Sequence, residues 1–232
     1  MITIRDALKQ FLADTGEGNR RSMSSPFNII DLFGTYLDGY GHEGLNEFER
    51  ARFDREWSED ARFCDMFGPD HIEPYHLNFF LNTFVIRKVM GTKGFLKACG
   101  PVIEKLAAWL LEQGHWDAEA VRYYRELIGD GAGGDLVGCR DLTEALHRYV
   151  QNHPLDEEAV DRDDDDYFDD QLTIKKVEPG KLIFEGLVDD EDITIRLPKS
   201  VTSKARAGWS VTMEIARIGG QWRILGLGNV YP

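Results

Sequence analysis

Two periodicities divide the chain. From Ile4 to Val150 apolar residues recur every three or four positions, the spacing of amphipathic helices; from Leu172 to Ile224 they alternate, the spacing of half-buried strands. In the first part, Ser25 stands where an N-cap is needed and Pro26 at the first helical position, and Ile30, Phe33, Leu37 and Tyr40 carry one apolar stripe. Pro74 opens a helix in which Leu77, Phe80, Leu81, Phe84 and Val85 form one face while Tyr75, Phe79 and Ile86 make the others apolar, so it is expected to be central and buried. After Gly100 and Pro101, the residues Val102, Ile103, Leu106, Trp109 and Leu110 predict a helix stopped by Gly114. Asp117 can cap the next, through Val121, Tyr124 and Ile128. Asp141 with Glu144 reads as a capping box for a last helix through Leu146 and Val150, closed by Pro154. With helices around Ile4 to Leu12 and Leu45 to Trp57, the pattern predicts about seven.

In the second part, Leu172 and Ile174 alternate with polar residues, Pro179-Gly180 turns the chain, and Leu182 with Phe184 alternate again before DDED. Ile193, Ile195 and Leu197 predict a third strand, followed by the connector PKSVTSKARAG. Trp209, Val211, Met213 and Ile215 predict a fourth, Gly219-Gly220 a tight hairpin, and Trp222 with Ile224 the start of a fifth. Five short strands in so small a segment are accommodated by a small barrel. The fold class is therefore α+β in two domains: an all-α helical domain over residues 1–155, an acidic linker over 156–170, and a small antiparallel five-stranded β-barrel over 171–232. A connector after the third strand suits an oligonucleotide/oligosaccharide-binding (OB-like) barrel, and short hairpins throughout would suit an SH3-like one.

Charge sharpens this division. The net charge is −14, and residues 1–155 carry −7, residues 156–170 carry −9 and residues 171–232 carry +2. A surface wholly given to nucleic acid is disfavoured, yet the barrel is free of that objection. Three dispersed cysteines, Cys64, Cys99 and Cys139, without a CxxC pair, argue for a reducing compartment. Together with the lack of a signal-peptide pattern or a long apolar run, they place the protein in the cytoplasm, off the membrane.

Short motifs add little chemistry. Gly129-Asp130-Gly131-Ala132-Gly133-Gly134 matches GxGxxG, but a helical pattern precedes it where a dinucleotide site needs a strand, so it reads as a connector. Asp161, Asp163 and Asp165 imitate a calcium loop, but Asp166 stands where glycine is required and Leu172 where a bidentate glutamate belongs. Cys64, His71 and His76 are the nearest approach to a metal cluster, at spacings that are not those of a zinc site. No nucleophile elbow, P-loop or HExxH helix is present, and no cofactor is expected. The stretch Pro74 to Trp116, two amphipathic helices ending in WLLEQG, is similar to the helical arm-type domains of tyrosine recombinases. It covers under a fifth of the chain, and no arginine, histidine and tyrosine set follows, so it assigns no family.

These features point to a non-enzymatic interaction or regulatory protein whose helical domain binds a protein partner or a second copy. Nucleic acid binding through the barrel is the alternative, using Lys175, Lys176, Arg196, Lys199, Lys204, Arg206 and Tyr231, with Lys181 and Arg223 also available for phosphates. Phe184, Trp209 and Trp222 fall in register with the apolar positions and are expected in the core. An enzyme with a site holding His71 or His76 at the domain junction is the third possibility.

Overall fold

A computed structural model describes residues 2–17, 22, 24–58, 61–128, 135–155, 166–186 and 191–232. Two compact units divide the chain, Met1–Gly134 and Asp135–Pro232. Among the described residues the first is built of helices, with one isolated bridge between Ser58 and Ala61. Helix α1 (Ile4–Asp14) is capped by Thr3 and buries Ile4, Ala7, Leu8, Phe11 and Leu12, and α2 (Pro26–Tyr40) starts as expected, the Ser25 hydroxyl accepting from the Asn28 N–H. A 3-10 turn (Gly41–Gly44) leads to α3 (Glu47–Glu56), where Asn46 and Glu49 form a capping box. The short α4 (Phe63–Met66) and a 3-10 turn (Pro69–His71) follow.

The helix opened by Pro74 is interrupted. Helix α5 (Pro74–Phe79) passes through a π turn (Phe80–Phe84) into α6 (Val85–Lys88), and the Val85 N–H donates to the Phe80 carbonyl five residues back. This helix is not buried all round, because Phe79 is 42% exposed and Tyr75 and Phe84 are half-buried. Helix α7 (Lys93–Glu112) begins at the Thr92 cap, well before the expected start, and carries Pro101 inside it. Pro101 removes the N–H that would reach Lys97, and the helix continues because its buried face, from Phe95 to Leu110, holds it in place. Gly114 ends it at φ 74°, and Asp117 caps α8 (Ala118–Ile128) through the Ala120 N–H at 2.8 Å.

The second unit begins with a helix. Helix α9 (Leu136–Asn152) starts five residues before the expected cap at Asp141, and Arg140 pairs Glu144 at 2.9 Å within the helix. Periodicity assigns this helix to the all-α domain, but Cys139, Leu142, Ala145 and Leu146 share one core with the barrel strands. Its fit is close: a Cβ on Gly138 would lie 2.8 Å from the Trp209 ring.

Strand β1 (Tyr167–Glu178) takes in the last residues of the acidic run, so the linker expected over 156–170 ends earlier. Tyr167 to Thr173 pair with Ala216 to Ser210, and that ladder makes a strand of an acidic sequence. Asp161, Asp163, Asp165 and the glycine-rich hexapeptide lie outside the described residues, while Leu172 is buried in the barrel core. The other strands are β2 (Lys181–Phe184), β3 (Ile193–Arg196), β4 (Ser210–Ile218) and β5 (Gln221–Tyr231), with the short α10 (Lys199–Thr202) between β3 and β4.

The barrel closes in the order β1-β2-β3-β5-β4. It is mixed rather than wholly antiparallel, since β3 runs parallel to β5, paired at Ile195 and Trp222. Hairpins throughout would have set β4 beside β3; the crossover through α10 instead gives the order of the OB-like alternative. The parallel pairing leaves most of β5 without a strand on that side. Helix α9 packs there, and the Val230 N–H donates to Thr143 Oγ1 at 3.1 Å, while that hydroxyl donates to the Cys139 carbonyl at 2.9 Å.

Candidate functional site

Sheet register decides which of the barrel's cations meet. On the outer face of β1, β2 and β3, the pairings Lys176 with Ile183 and Ile183 with Thr194 make one row, and Glu178 with Lys181 and Lys181 with Arg196 make the next. A bulge after Ile174 turns Lys175 outward as well. Four of the candidate phosphate contacts therefore share one face. Most are already paired: Lys175 Nζ holds both Asp192 oxygens at 2.8 and 3.0 Å, and Lys176 and Lys181 reach Glu178 at 2.8 and 3.0 Å. Lys176 and then Lys181 hold the Glu178 carboxyl below its usual range. The Lys181–Glu178 pair joins β2 to β1, and all three pairs lower the face's attraction for phosphate.

Arg196, Lys199 and Lys204 have no ion-pair partner among the described residues. Arg206 is elsewhere, paired with Asp135 and lying over the Trp209 ring at 5.6 Å. Arg223 bonds Gln221, and Tyr231 is half-buried at the end of β5 beside Ser210. Phe184 and Trp209 are in the core, and Trp222 packs on Phe168 with centroids 5.5 Å apart. Between its charges the β1–β2–β3 face offers Ile183 and Thr194, and among the described residues these rows hold no ring on which a base could stack.

In the helical unit, the metal reading dissolves into three separate roles. The Cys64 thiol donates to the Gly34 carbonyl at 3.4 Å, and burial pushes its pKa far up. Its backbone N–H goes to Asp38, whose carboxylate also meets Arg5 at 3.0 Å; Arg5 in turn grips Asp65 with two nitrogens. His71 Nε2 lies 3.0 Å from Glu49 Oε1, and Glu49 is the capping-box partner of Asn46 in the first turn of α3, so the pair fastens a helix start. His76 is 1% exposed, and its Nδ1 accepts from the Glu73 N–H at 3.0 Å, which leaves the ring proton on Nε2. Burial pulls its pKa down to about 4; the Gly41 carbonyl opposes that pull, although Nε2 makes no hydrogen bond to it by distance and angle. Among the described residues no group of three or more His, Cys, Asp or Glu side chains is arranged to hold a metal.

An aromatic cluster on the π turn is the feature that periodicity alone misses. Tyr36 is buried and touches Tyr40, Phe79, Phe80 and Phe84, with centroids 5.6, 6.2, 5.7 and 5.2 Å away, and Tyr40 stands nearly perpendicular to Phe84 at 5.9 Å. Gly44 abuts the Tyr75 hydroxyl with no room for a Cβ, which sets the 3-10 turn and Glu43 against α5. Burial, then Glu73 and Glu43, pushes Tyr75 up to about 12. The density of aromatics at 75, 79, 80 and 84 was the available signal, but it reads equally well as core.

Comparison of the chain with family models, curated proteins and solved structures finds no match. Among the described residues no helix is long and apolar enough to cross a membrane.

Proposed function

We propose that this chain is a non-enzymatic binding protein and that its helical unit receives a protein partner or a second copy. One observation carries the reading. The seven large apolar side chains exposed among the described residues, Ile2, Phe48, Trp57, Phe79, Met90, Leu111 and Tyr123, all lie in Met1–Gly134, and none is on the barrel unit. Phe48 at 84%, Trp57 at 58% and Met90 at 100% exposure leave apolar surface in water that a partner would cover. His71, His76 and Cys64 have packing and capping roles, which favours the binding reading over an enzyme built on them.

Light scattering on the full chain, with cross-linking and pull-down, tests this. The expected result is a stable dimer, or a retained partner whose recovery falls when Phe48→Ser and Trp57→Ser are combined. A strict monomer that retains no partner counts decisively against it.

Arg196 favours a second reading, weak binding of a nucleic acid backbone on the barrel. It projects from the β2–β3 region that OB-like barrels use, without a carboxylate partner among the described residues. Retention of single-stranded RNA should then fall steeply with salt, and Arg196→Glu with Lys199→Glu should abolish it. No retention at low salt ends that reading.

A further inference from the structure

The π turn re-aims a side chain. At about 100° per residue, Phe84 would stand about 140° away from Phe79 on a regular helix. The extra residue in the turn brings Phe84 back, so that both rings meet Tyr36, and Tyr75 precedes Phe79 by one helical turn. Tyr36 forms the floor of this surface; Tyr40, Tyr75 and Phe84 are half-buried, and Phe79 is exposed. Tyr40 and Phe84, inclined at 68°, make a corner of two aromatic walls.

Two carboxylates flank the end nearest Tyr40 and Tyr75. Glu43 follows Tyr40 in the 3-10 turn and Glu73 precedes α5; both are exposed, and neither has an ion-pair partner among the described residues. This contrasts with α3, where Arg50, Arg52 and Arg55 occupy Asp54 and Glu56. The carboxylates act on the phenols beside them: burial, Tyr75 and then Glu43 raise Tyr36, and burial, Glu73 and then Glu43 raise Tyr75. The basic pair Arg87 and Lys88 lies beyond Phe84 at the far end of α6, which gives the surface a direction.

We infer that the surface formed by Tyr40, Glu43, Tyr75, Phe79 and Phe84 is the docking site for a lysine or arginine side chain presented by a protein partner. Aromatic faces and an unpaired carboxylate together select a cation, because the negative face of each ring attracts it and partial desolvation strengthens that attraction. The exposed Phe79 adds apolar contact for the stem of a long basic side chain. This assignment rests on the proposal that the helical unit receives a protein partner.

Binding of a fluorescent octalysine peptide to the full chain, read by anisotropy at roughly 0.5 M salt, tests it; at that salt, Coulombic attraction reaches only a few ångströms. The acidic run is controlled by the triple variant Asp163→Asn, Asp164→Asn, Asp165→Asn, which should bind as the parent does. Glu43→Lys should weaken binding about tenfold, and so should Phe79→Leu, which keeps apolar bulk and folding but removes the π face. Equal binding by the parent, Glu43→Lys and Phe79→Leu, or loss only in the triple variant, overturns the site. Spermidine competing as well as unlabelled octalysine would assign the surface to a free polyamine and overturn the protein-borne cation. If octalysine fails while light scattering still finds a dimer or a bound partner, the site is wrong and the partner reading stands; failure of both removes both.

Discussion

At the scale of single residues, His76 is the clearest case of burial deciding chemistry. Its pKa falls from 6.5 to about 4 on folding, so between these values the unfolded chain binds the extra proton and the folded one does not. Stability is therefore full above about pH 6.5 and declines as the pH falls toward 4, by about 3 kcal/mol from this group. Urea unfolding at pH 7 and pH 4.5 should give a smaller pH-dependent loss for His76→Gln than for the parent. The apolar residues around His76 foretell a buried helix, but not which rings close over this side chain. The rings of Tyr36 and Phe63 that enclose it come from α2 and α4. Thr143 makes the complementary point, because one hydroxyl serves a strand 87 residues away. Thr143→Val keeps the shape but strands the Val230 N–H, and thermal unfolding should register a loss of about 1 to 2 kcal/mol.

At the scale of elements, what was legible was local. Ser25, Asp117 and Gly114 act within three or four residues of themselves, and each does what its type predicts. Pro101 misled because proline usually opens a helix, whereas here the apolar face of α7 outweighs the missing bond. Pro101→Ala restores a donor to Lys97 and should stabilise the chain by about 1 to 3 kcal/mol in urea unfolding. The π turn escaped for a different reason: a helix whose every face carries apolar residues has no phase from which a single inserted residue can be noticed. Likewise Asp169 and Asp170 read as tether because their strand partners, Glu214 and Met213, lie more than 40 residues on.

At the scale of the whole molecule, the change of period locates the barrel but not its limits. The stripe of Cys139, Leu142 and Leu146 announces a helix with a core to fill, without saying which core. A fragment beginning at Asp135 should therefore fold, giving dispersed amide resonances, whereas one beginning at Gln171 lacks α9 and the first part of β1 and should not. The crossover that makes the barrel OB-like has a further cost. It leaves β5 with backbone groups that another chain's strand could satisfy as readily as Thr143 does, so α9 also acts as a plug against self-templating. Truncation between α9 and β1 would then trade a soluble domain for a seed, and its growth should depend on protein concentration and be suppressed by adding the α9 peptide back.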